Sequence, residues 1–183
     1  MFRRLHKIAV VLLIALPFLL GWYLYQKRSV FSPVTDFYQA LKISGGKFGN
    51  DLETVSGEVI RLSENYTFTL KNDDGQTLRF RLTGIEAPHS QNLGRQNGSS
   101  ILTKSREEMS ALTLSNRVQV APTYQDRNRS GLGVLYVGET NVNALLVKRG
   151  LAQVKREFLQ GVKLTDVYAL LRAQRAADKI ESN

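Results

Sequence analysis

Apolar residues are spaced in three different ways along the chain. Residues 8–25 form a continuous apolar run without a charged side chain. After residue 54 apolar and polar positions alternate, as they do over residues 66–70, and this period of two predicts half-buried β-strands. Over residues 164–171 the apolar positions recur at i, i+3, i+4 and i+7, which is the spacing of an amphipathic helix. The pattern therefore predicts an apolar N-terminal segment followed by a domain of strands and helices.

The alternating region predicts a small barrel. The run Val55 to Leu70 contains two strands, Asp74-Gly75 is a hairpin turn because glycine accepts the positive φ of a tight turn, and Leu78 to Leu82 is a third strand. The other predicted elements are a helix over 99–114, strands over 117–121 and 134–137, a helix over 142–150 and a final helix over 164–179. This order suits a closed five-stranded barrel with about three flanking helices, since closure removes exposed sheet edges. The predicted class is α+β, mainly β.

The run from Ile8 to Tyr25 predicts a transmembrane helix. At about 1.5 Å per residue, a helix of this length spans most of the hydrocarbon core of a bilayer. The alternative is a cleaved signal peptide, whose apolar region is usually shorter, about 7–15 residues. Three Lys or Arg residues precede the run and two follow it, which predicts a cytoplasmic N-terminus and a folded domain on the far side. We expect a single-pass protein of a bacterial inner membrane with a periplasmic domain, or alternatively of a mitochondrial membrane.

The predicted organisation has four parts. A basic flank covers residues 1–7, the transmembrane helix 8–25, a tether 26–53 and the folded domain 54–183. Glycine pairs such as Gly45-Gly46 favour irregular backbone, so we expect the tether to hold one short helix.

Composition narrows the classes of function. The chain has no cysteine, which excludes structural disulfides and thiolate metal sites, and its two histidines, His6 and His89, are too few for a multi-histidine zinc site. The net charge of +9 suggests a polyanionic partner, yet five cations lie before residue 30 without an acidic residue, which leaves +4 (9 − 5) for the remainder. A mildly basic domain permits nucleic-acid binding without requiring it.

Three segments resemble the staphylococcal nuclease (thermonuclease) family. Phe80 to Pro88, which reads Phe-Arg-Leu-Thr-Gly-Ile-Glu-Ala-Pro, is similar to the family's strand Phe-Arg-Leu and its turn Asp-Thr-Pro-Glu. Ser130 to Val137 resembles the family segment Tyr-Gly-Arg-Gly-Leu-Ala-Tyr-Ile, and Val142 to Ala152 resembles Val-Asn-x-x-Leu-Val-x-x-Gly-Leu-Ala. The resemblance covers roughly residues 54–179. It implies an oligonucleotide/oligosaccharide-binding (OB) barrel that cuts DNA and RNA with a calcium ion.

The resemblance also implies where the catalytic groups would lie, and most of them are replaced. The family holds calcium with two aspartates, activates water with a glutamate and binds the phosphate with two arginines, since calcium prefers hard oxygen ligands and guanidinium matches phosphate. The corresponding positions are Tyr66 and Glu86 for the ligands, His89 for the base, and Arg81 and Leu132 for the arginines. A phenol with a pKa of about 10 is a poor calcium ligand. The resemblance thus implies a nuclease-like domain with a degenerate site.

A first hypothesis is a membrane-tethered, catalytically impaired module without a cofactor. Its partner would be single-stranded nucleic acid, another polyanion or an unidentified protein, because such barrels bind strands with cations and exposed aromatic rings. The candidate nucleic-acid-binding residues are Arg79, Arg81, Arg95, Tyr124, Arg127 and Arg129, with Tyr66 as a further ring. We expect Phe68 and Phe80 to fill the core instead.

A second hypothesis is an active phosphodiesterase with a rearranged site and calcium or another divalent metal. Glu64 and Glu86 would hold the metal, His89 would accept the proton and Arg81 would bind the phosphate. A plainer interpretation makes Glu64 a solvated turn residue, His89 an exposed loop residue, and Arg81 with Glu86 a structural ion pair. A third role, as a scaffold in a membrane complex, has no positive sequence signal.

Overall fold

A closed barrel lies at the centre of the domain in the computed structural model, which describes residues 28–48, 52–63, 65–88, 95–126 and 130–181. The strands are β1 (Val55–Ser63), β2 (Thr67–Asn72), β3 (Thr77–Leu82), β4 (Ile85–Glu86), β5 (Arg117–Gln125), β6 (Ser130–Val137), β7 (Thr140–Asn141) and β8 (Gln153–Val154). Antiparallel pairing joins β3, β2, β1, β5 and β6 in that order, and a parallel pairing of β3 with β6 closes the ring. The predicted five-stranded barrel is confirmed, and the topology fits the OB-fold.

Helices lie before, between and after the strands. They are α1 (Arg28–Ser44), α2 (Arg95–Thr113), α3 (Val142–Lys148) and α4 (Leu164–Glu181), with a short 3₁₀ helix at Arg156–Leu159. Helices α2, α3 and α4 are the three that the sequence predicted, so α1 is a fourth. The residues from Phe37 onward form one compact unit, and the described residues before it, the first half of α1, belong to a separate unit.

Helix α1 occupies much of the segment that was predicted to be a tether with one short helix. It has 17 residues, and its later part is amphipathic: Ala40 is fully buried, and the ring of Phe37 meets that of Tyr168 edge-on with centroids 6.3 Å apart. The apolar patch in the sequence is therefore one face of a longer helix. Gly45 and Gly46, with φ of +60° and +77°, end that helix in the left-handed conformation that glycine tolerates.

The predicted transmembrane segment, Ile8 to Tyr25, and the basic flank before it lie outside the described residues. Among the helices that the structure describes, none has the length and apolar composition needed to cross a bilayer.

The barrel core confirms the expected role of two aromatic residues. Phe68 and Phe80 are fully buried, and their ring centroids lie 5.9 Å apart. Along β3 every second side chain points inward, because successive side chains of a strand face opposite sides of the sheet. The alternate positions, which include Arg79 and Arg81, consequently lie on the outer face of the barrel.

Candidate functional site

The barrel register places a cation, an apolar residue and an aromatic ring side by side on the outer face. Arg81 in β3 pairs with Leu132 in β6, and Leu132 pairs in turn with Tyr124 in β5. Neighbouring strands lie about 4.8 Å apart, so the Arg81 and Tyr124 backbones are about 10 Å apart. Arg81 is exposed, Leu132 is half-buried and 57% of Tyr124 is exposed. We call Arg81, Leu132 and Tyr124 the outer row.

A second cation extends this surface. Arg79 is exposed two residues before Arg81 on the same face of β3, which corresponds to a separation of about 7 Å along the strand. Its partners across the neighbouring strands are Thr69 and Ser130, which carry no charge. Two arginines and one exposed ring of the predicted nucleic-acid-binding set thus share one face.

The other predicted binding residues are not part of this described surface. Arg95 is the first residue of α2, and Arg127 and Arg129 lie outside the described residues, in the β5–β6 loop. That loop is closed at its base by Asp126, whose N–H donates to the Ser130 carbonyl at 2.8 Å and whose side chain accepts from the Ser130 N–H at 2.9 Å.

Glu86 lies in β4, directly opposite Gln153 in β8. Its Oε1 accepts a hydrogen bond from Gln153 Nε2 at 3.1 Å, and its Oε2 lies 2.8 Å from Lys155 Nζ. The Glu86 side chain is 17% exposed and that of Lys155 is 29% exposed. Glu86 is the acidic residue that was predicted for both catalysis and metal binding. Both of its carboxylate oxygens therefore already have partners within the protein.

Backbone pairing brings Lys155 to Glu86. The Lys155 N–H donates to the Gly84 carbonyl at 2.9 Å, so Lys155 extends the β8 pairing and is the diagonal neighbour of Glu86. The hydrogen bond to Glu86 raises the pKa of Lys155, while desolvation and the nearby charge of Arg81 act in the opposite direction. The plainer interpretation of the sequence was an ion pair between Arg81 and Glu86. Among the described residues, Glu86 forms its ion pair with Lys155 instead.

Tyr66, at the position of the first family ligand, is a core residue. It is 3% exposed, so the prediction that it is an available ring for stacking was wrong. Its hydroxyl donates to the Leu151 carbonyl at 2.7 Å, and the Ser105 hydroxyl donates to the same oxygen at 2.9 Å. Burial raises the pKa of Tyr66, with Ser105 and the charge of Arg81 opposing the shift. The phenol thus connects the barrel to α2 and to the segment after α3.

The backbone at this position is also specialised. Asn65 and Tyr66 have φ of 56° and 57°, the left-handed region that a bulky side chain rarely adopts. The buried ring and its hydrogen bond to Leu151 hold Tyr66 there. The turn that contains Asn65 and Tyr66 is therefore a structural connection within the fold.

These residues do not fit a calcium ion of the family's kind. Calcium takes about six to eight oxygen ligands, with carboxylates most important among them. Tyr66 is neutral and directed to Leu151, and Glu86 is engaged by Gln153 and Lys155. Within the part of the chain that the structure describes, no three acidic or histidine side chains come together as a metal site. Glu64 and His89, the other predicted members, lie outside the described residues.

Sequence reasoning missed Gln153 and Lys155. Strand β8 has only two residues, too few for any periodicity, and its pairing with β4 joins residues 67 positions apart. The one available signal was proximity to the motif Val142 to Ala152, which ends immediately before Gln153.

Comparison with known proteins agrees with the family resemblance of the sequence. The family described as staphylococcal nuclease homologue matches residues 79–183, which is more than half of the chain. A protein named micrococcal nuclease from Shigella flexneri is 32% identical over 111 residues, 56% of this chain and 59% of that protein. An uncharacterized endonuclease from Haemophilus influenzae is 29% identical over 101 residues, 55% of this chain and 52% of that protein. The matches span just over half the length of these curated relatives.

Proposed function

Because the chain belongs to the staphylococcal nuclease family, as three segments of its sequence predicted, we propose that its barrel binds single-stranded nucleic acid and that its capacity for phosphodiester cleavage is impaired. The observation that carries the proposal is the state of Tyr66. At the first ligand position, this residue is buried and hydrogen-bonded to Leu151.

The outer row and Arg79 support the proposed binding of single-stranded nucleic acid. Proteins that bind single strands combine cations, which contact phosphates, with aromatic rings, on which bases stack. Arg79 and Arg81 lie on the same outer face as Tyr124, and the spacing between Arg81 and Tyr124, about 10 Å, is that of two strand separations. A stretched strand crossing the row would meet both kinds of group.

The replacement of catalytic groups that act together supports the proposed impairment of phosphodiester cleavage. The removal of one electrostatic group from a hydrolytic site typically lowers the rate by about 10²–10³. Here a ligand, a base and a cation are replaced by Tyr66, His89 and Leu132. Such losses are not additive, since groups that form one catalytic unit fail together.

Cleavage by a rearranged site is the second candidate function. It is favoured by the names of the two relatives, a micrococcal nuclease and an endonuclease, and by the retention of Arg81. In that case calcium or another divalent metal would be needed. Glu64 would be a ligand of the metal, and His89 would accept the proton.

Fluorescence anisotropy of a labelled single-stranded oligonucleotide, titrated with the full chain at increasing salt, tests binding. We expect salt-dependent binding, and a salt slope that falls by about 1.4 when Arg79 and Arg81 are both changed to Ala, because each phosphate contact on a single strand contributes about 0.7. Tyr124→Ala should weaken binding with little change of slope. Arg172→Ala, which removes an exposed cation from α4, is the matched control. Absence of binding at low salt would reject the proposal.

A cleavage assay with DNA and RNA, run with calcium, magnesium or a chelator, distinguishes the two candidates. We expect the full chain to cleave no faster than its Arg81→Ala and Glu86→Ala variants. Metal-dependent cleavage that disappears in both variants would instead establish the active enzyme.

We also propose that residues 8–25 anchor the chain in a bacterial inner membrane, with the N-terminus in the cytoplasm and the domain in the periplasm. The uncharged apolar run and its flanking cations support this. The expressed chain should remain in the membrane fraction after alkaline carbonate and leave it only with detergent. Release by carbonate alone would contradict the anchor.

A further inference from the structure

Lys155 lies against Glu86 at a position where the family resemblance places a metal ion. We propose that the Lys155 ammonium replaces the charge of that metal, so that the barrel binds the phosphates of a nucleic acid without any divalent ion. This inference rests on the proposed nucleic-acid binding and adds to it a specific ionic requirement.

Both oxygens of the Glu86 carboxylate have partners within the chain. Oε2 is 2.8 Å from Lys155 Nζ and Oε1 is 3.1 Å from Gln153 Nε2, both at hydrogen-bonding distance. A divalent ion on Glu86 would have to displace a charge-assisted hydrogen bond to Lys155. The cation already present is part of the chain.

The backbone determines where Lys155 lies. Its N–H is bonded to the Gly84 carbonyl, in the same short sheet that pairs Glu86 with Gln153. Its ammonium also lies 5.1 Å from the centroid of the Phe158 ring, within the range of a cation–π interaction. The β4–β8 pairing and the ring therefore hold the ammonium at one place beside Glu86.

The charges around Arg81 also favour the approach of a phosphate. The Glu86 carboxylate by itself would repel a phosphate, and Lys155 neutralises it. Arg81 has no carboxylate partner among the residues that the structure describes, and its charge acts on both Lys155 and Tyr66. Because Lys155 and Glu86 offset each other, the charge of Arg81 is left to attract a phosphodiester, and Glu157 is a further charge that acts on Lys155.

The replacement of a metal ion by the Lys155 ammonium also explains why the protein would bind nucleic acid without cleaving it. An ammonium is a compact point charge with three donors, and it offers no open coordination position that could activate a water molecule. Lys155 therefore supplies charge for binding and no hydrolytic chemistry.

The test compares oligonucleotide affinity in excess chelator and in calcium at constant ionic strength, using anisotropy and the full chain. The unchanged protein should bind equally well in both. Lys155→Met should lose about tenfold in chelator, the size expected when one charge-assisted hydrogen bond is removed, and should recover part of the loss in calcium. Lys155→Arg should retain binding. Lys148→Met, which removes an exposed lysine from α3, should bind like the unchanged protein.

The double variant Glu86→Gln with Lys155→Met separates the charge effect from misfolding. Removing both charges of the pair leaves Arg81 as it is in the unchanged protein, so the double variant should bind like the unchanged protein, more tightly than Lys155→Met in chelator, and should ignore calcium. Thermal unfolding of each variant checks that it is folded.

Three results would overturn the inference, and they are distinguishable. Tight binding only in calcium, lost in Glu86→Gln, would reject it while nucleic-acid binding stands. Equal affinity of Lys155→Met and the unchanged protein in chelator would reject the role of Lys155. No binding under any condition would reject the proposed function and this inference with it.

Discussion

The hydroxyl of Tyr66 donates a 2.7 Å hydrogen bond to the carbonyl of Leu151, which lies 85 residues later in the chain. The same carbonyl accepts from Ser105 in α2, so three separate segments meet at one oxygen atom. Tyr66 thus stabilises the fold by joining these segments.

Tyr66→Phe should destabilise the domain modestly. The ring is retained and the Leu151 carbonyl still accepts from Ser105, so the loss is one net hydrogen bond, about 1 kcal/mol. Urea unfolding should show a lower midpoint with an unchanged slope. Tyr124→Phe, which removes an exposed hydroxyl, is the control and should leave the midpoint in place.

Tyr66→Asp should not restore cleavage, although it recreates the family residue. The site is buried and the shorter side chain cannot fill the space of the ring, so we expect a loss of about 3 kcal/mol or more in the free energy of unfolding. The measurements are urea unfolding and the nuclease assay with calcium. A folded variant that gains metal-dependent cleavage would contradict the view that Tyr66 is structural.

Asn143→Leu should be strongly destabilising. Asn143 is fully buried; its Oδ1 accepts from the Leu135 N–H at 3.0 Å, and its Nδ2 donates to the Thr83 carbonyl at 2.8 Å. Leucine would leave both backbone groups without partners, at about 1–3 kcal/mol each. Asn116→Leu is the matched control, because its amide bonds Leu112 at the exposed end of α2. Equal unfolding midpoints for the two variants would refute the prediction.

Gly84→Ala and Gly75→Ala together separate backbone strain from steric overlap. Both glycines have positive φ, +73° and +76°, so each substitution pays about 1–2 kcal/mol for the left-handed conformation. A Cβ at Gly84 would lie 2.5 Å from Leu159 Cδ2, whereas at Gly75 it would meet nothing within 4 Å. We expect Gly84→Ala to cost about 1–3 kcal/mol more. Chemical denaturation measures the difference, and equal costs would disprove the overlap.

Asp166 should make stability depend on pH. Burial raises the pKa of Asp166, although hydrogen bonds from Tyr136 and Asn141 and the charge of Lys163, 3.7 Å away, act against the shift. Among the described residues its Oδ2 has no hydrogen-bond partner. Burial and Asp166 also raise the pKa of Tyr136, so the Tyr136 hydroxyl remains a donor throughout the acidic and neutral range.

Proton binding by Asp166 sets the direction in which stability changes with pH. Between the unfolded pKa of Asp, about 3.9, and the higher folded value, the folded state holds a proton that the unfolded state has lost. The stabilisation from this group is therefore complete below the unfolded pKa and disappears as the pH rises through the folded pKa. Relative to Asp166→Asn, the unchanged protein should lose up to about 1.4 kcal/mol per pH unit within that window. Unfolding curves from acidic to neutral pH measure this, and a constant difference would contradict it.

Much of the barrel was predictable because its strands bury one face. The alternation at Phe68 and Phe80 shows directly which side chains enter the core, and the Asp74-Gly75 turn joins two neighbouring strands. Helix α1 was underestimated, because a short apolar patch with glycines after it does not reveal how far a helix extends toward the N-terminus.

By itself the sequence determined the family, the five-stranded barrel and the inward-facing residues, since each depends on local spacing or on the identity of single residues. It also predicted that Tyr66, His89 and Leu132 stand where the family resemblance places catalytic groups. The partners of those residues depended on the tertiary structure. The pairing of Arg81 with Leu132, the bond from Tyr66 to Leu151 and the ion pair of Lys155 with Glu86 each join distant segments. Only the closing of the barrel and the two-residue pairing of β4 with β8 bring them together, because a contact between distant residues leaves no periodicity in either segment.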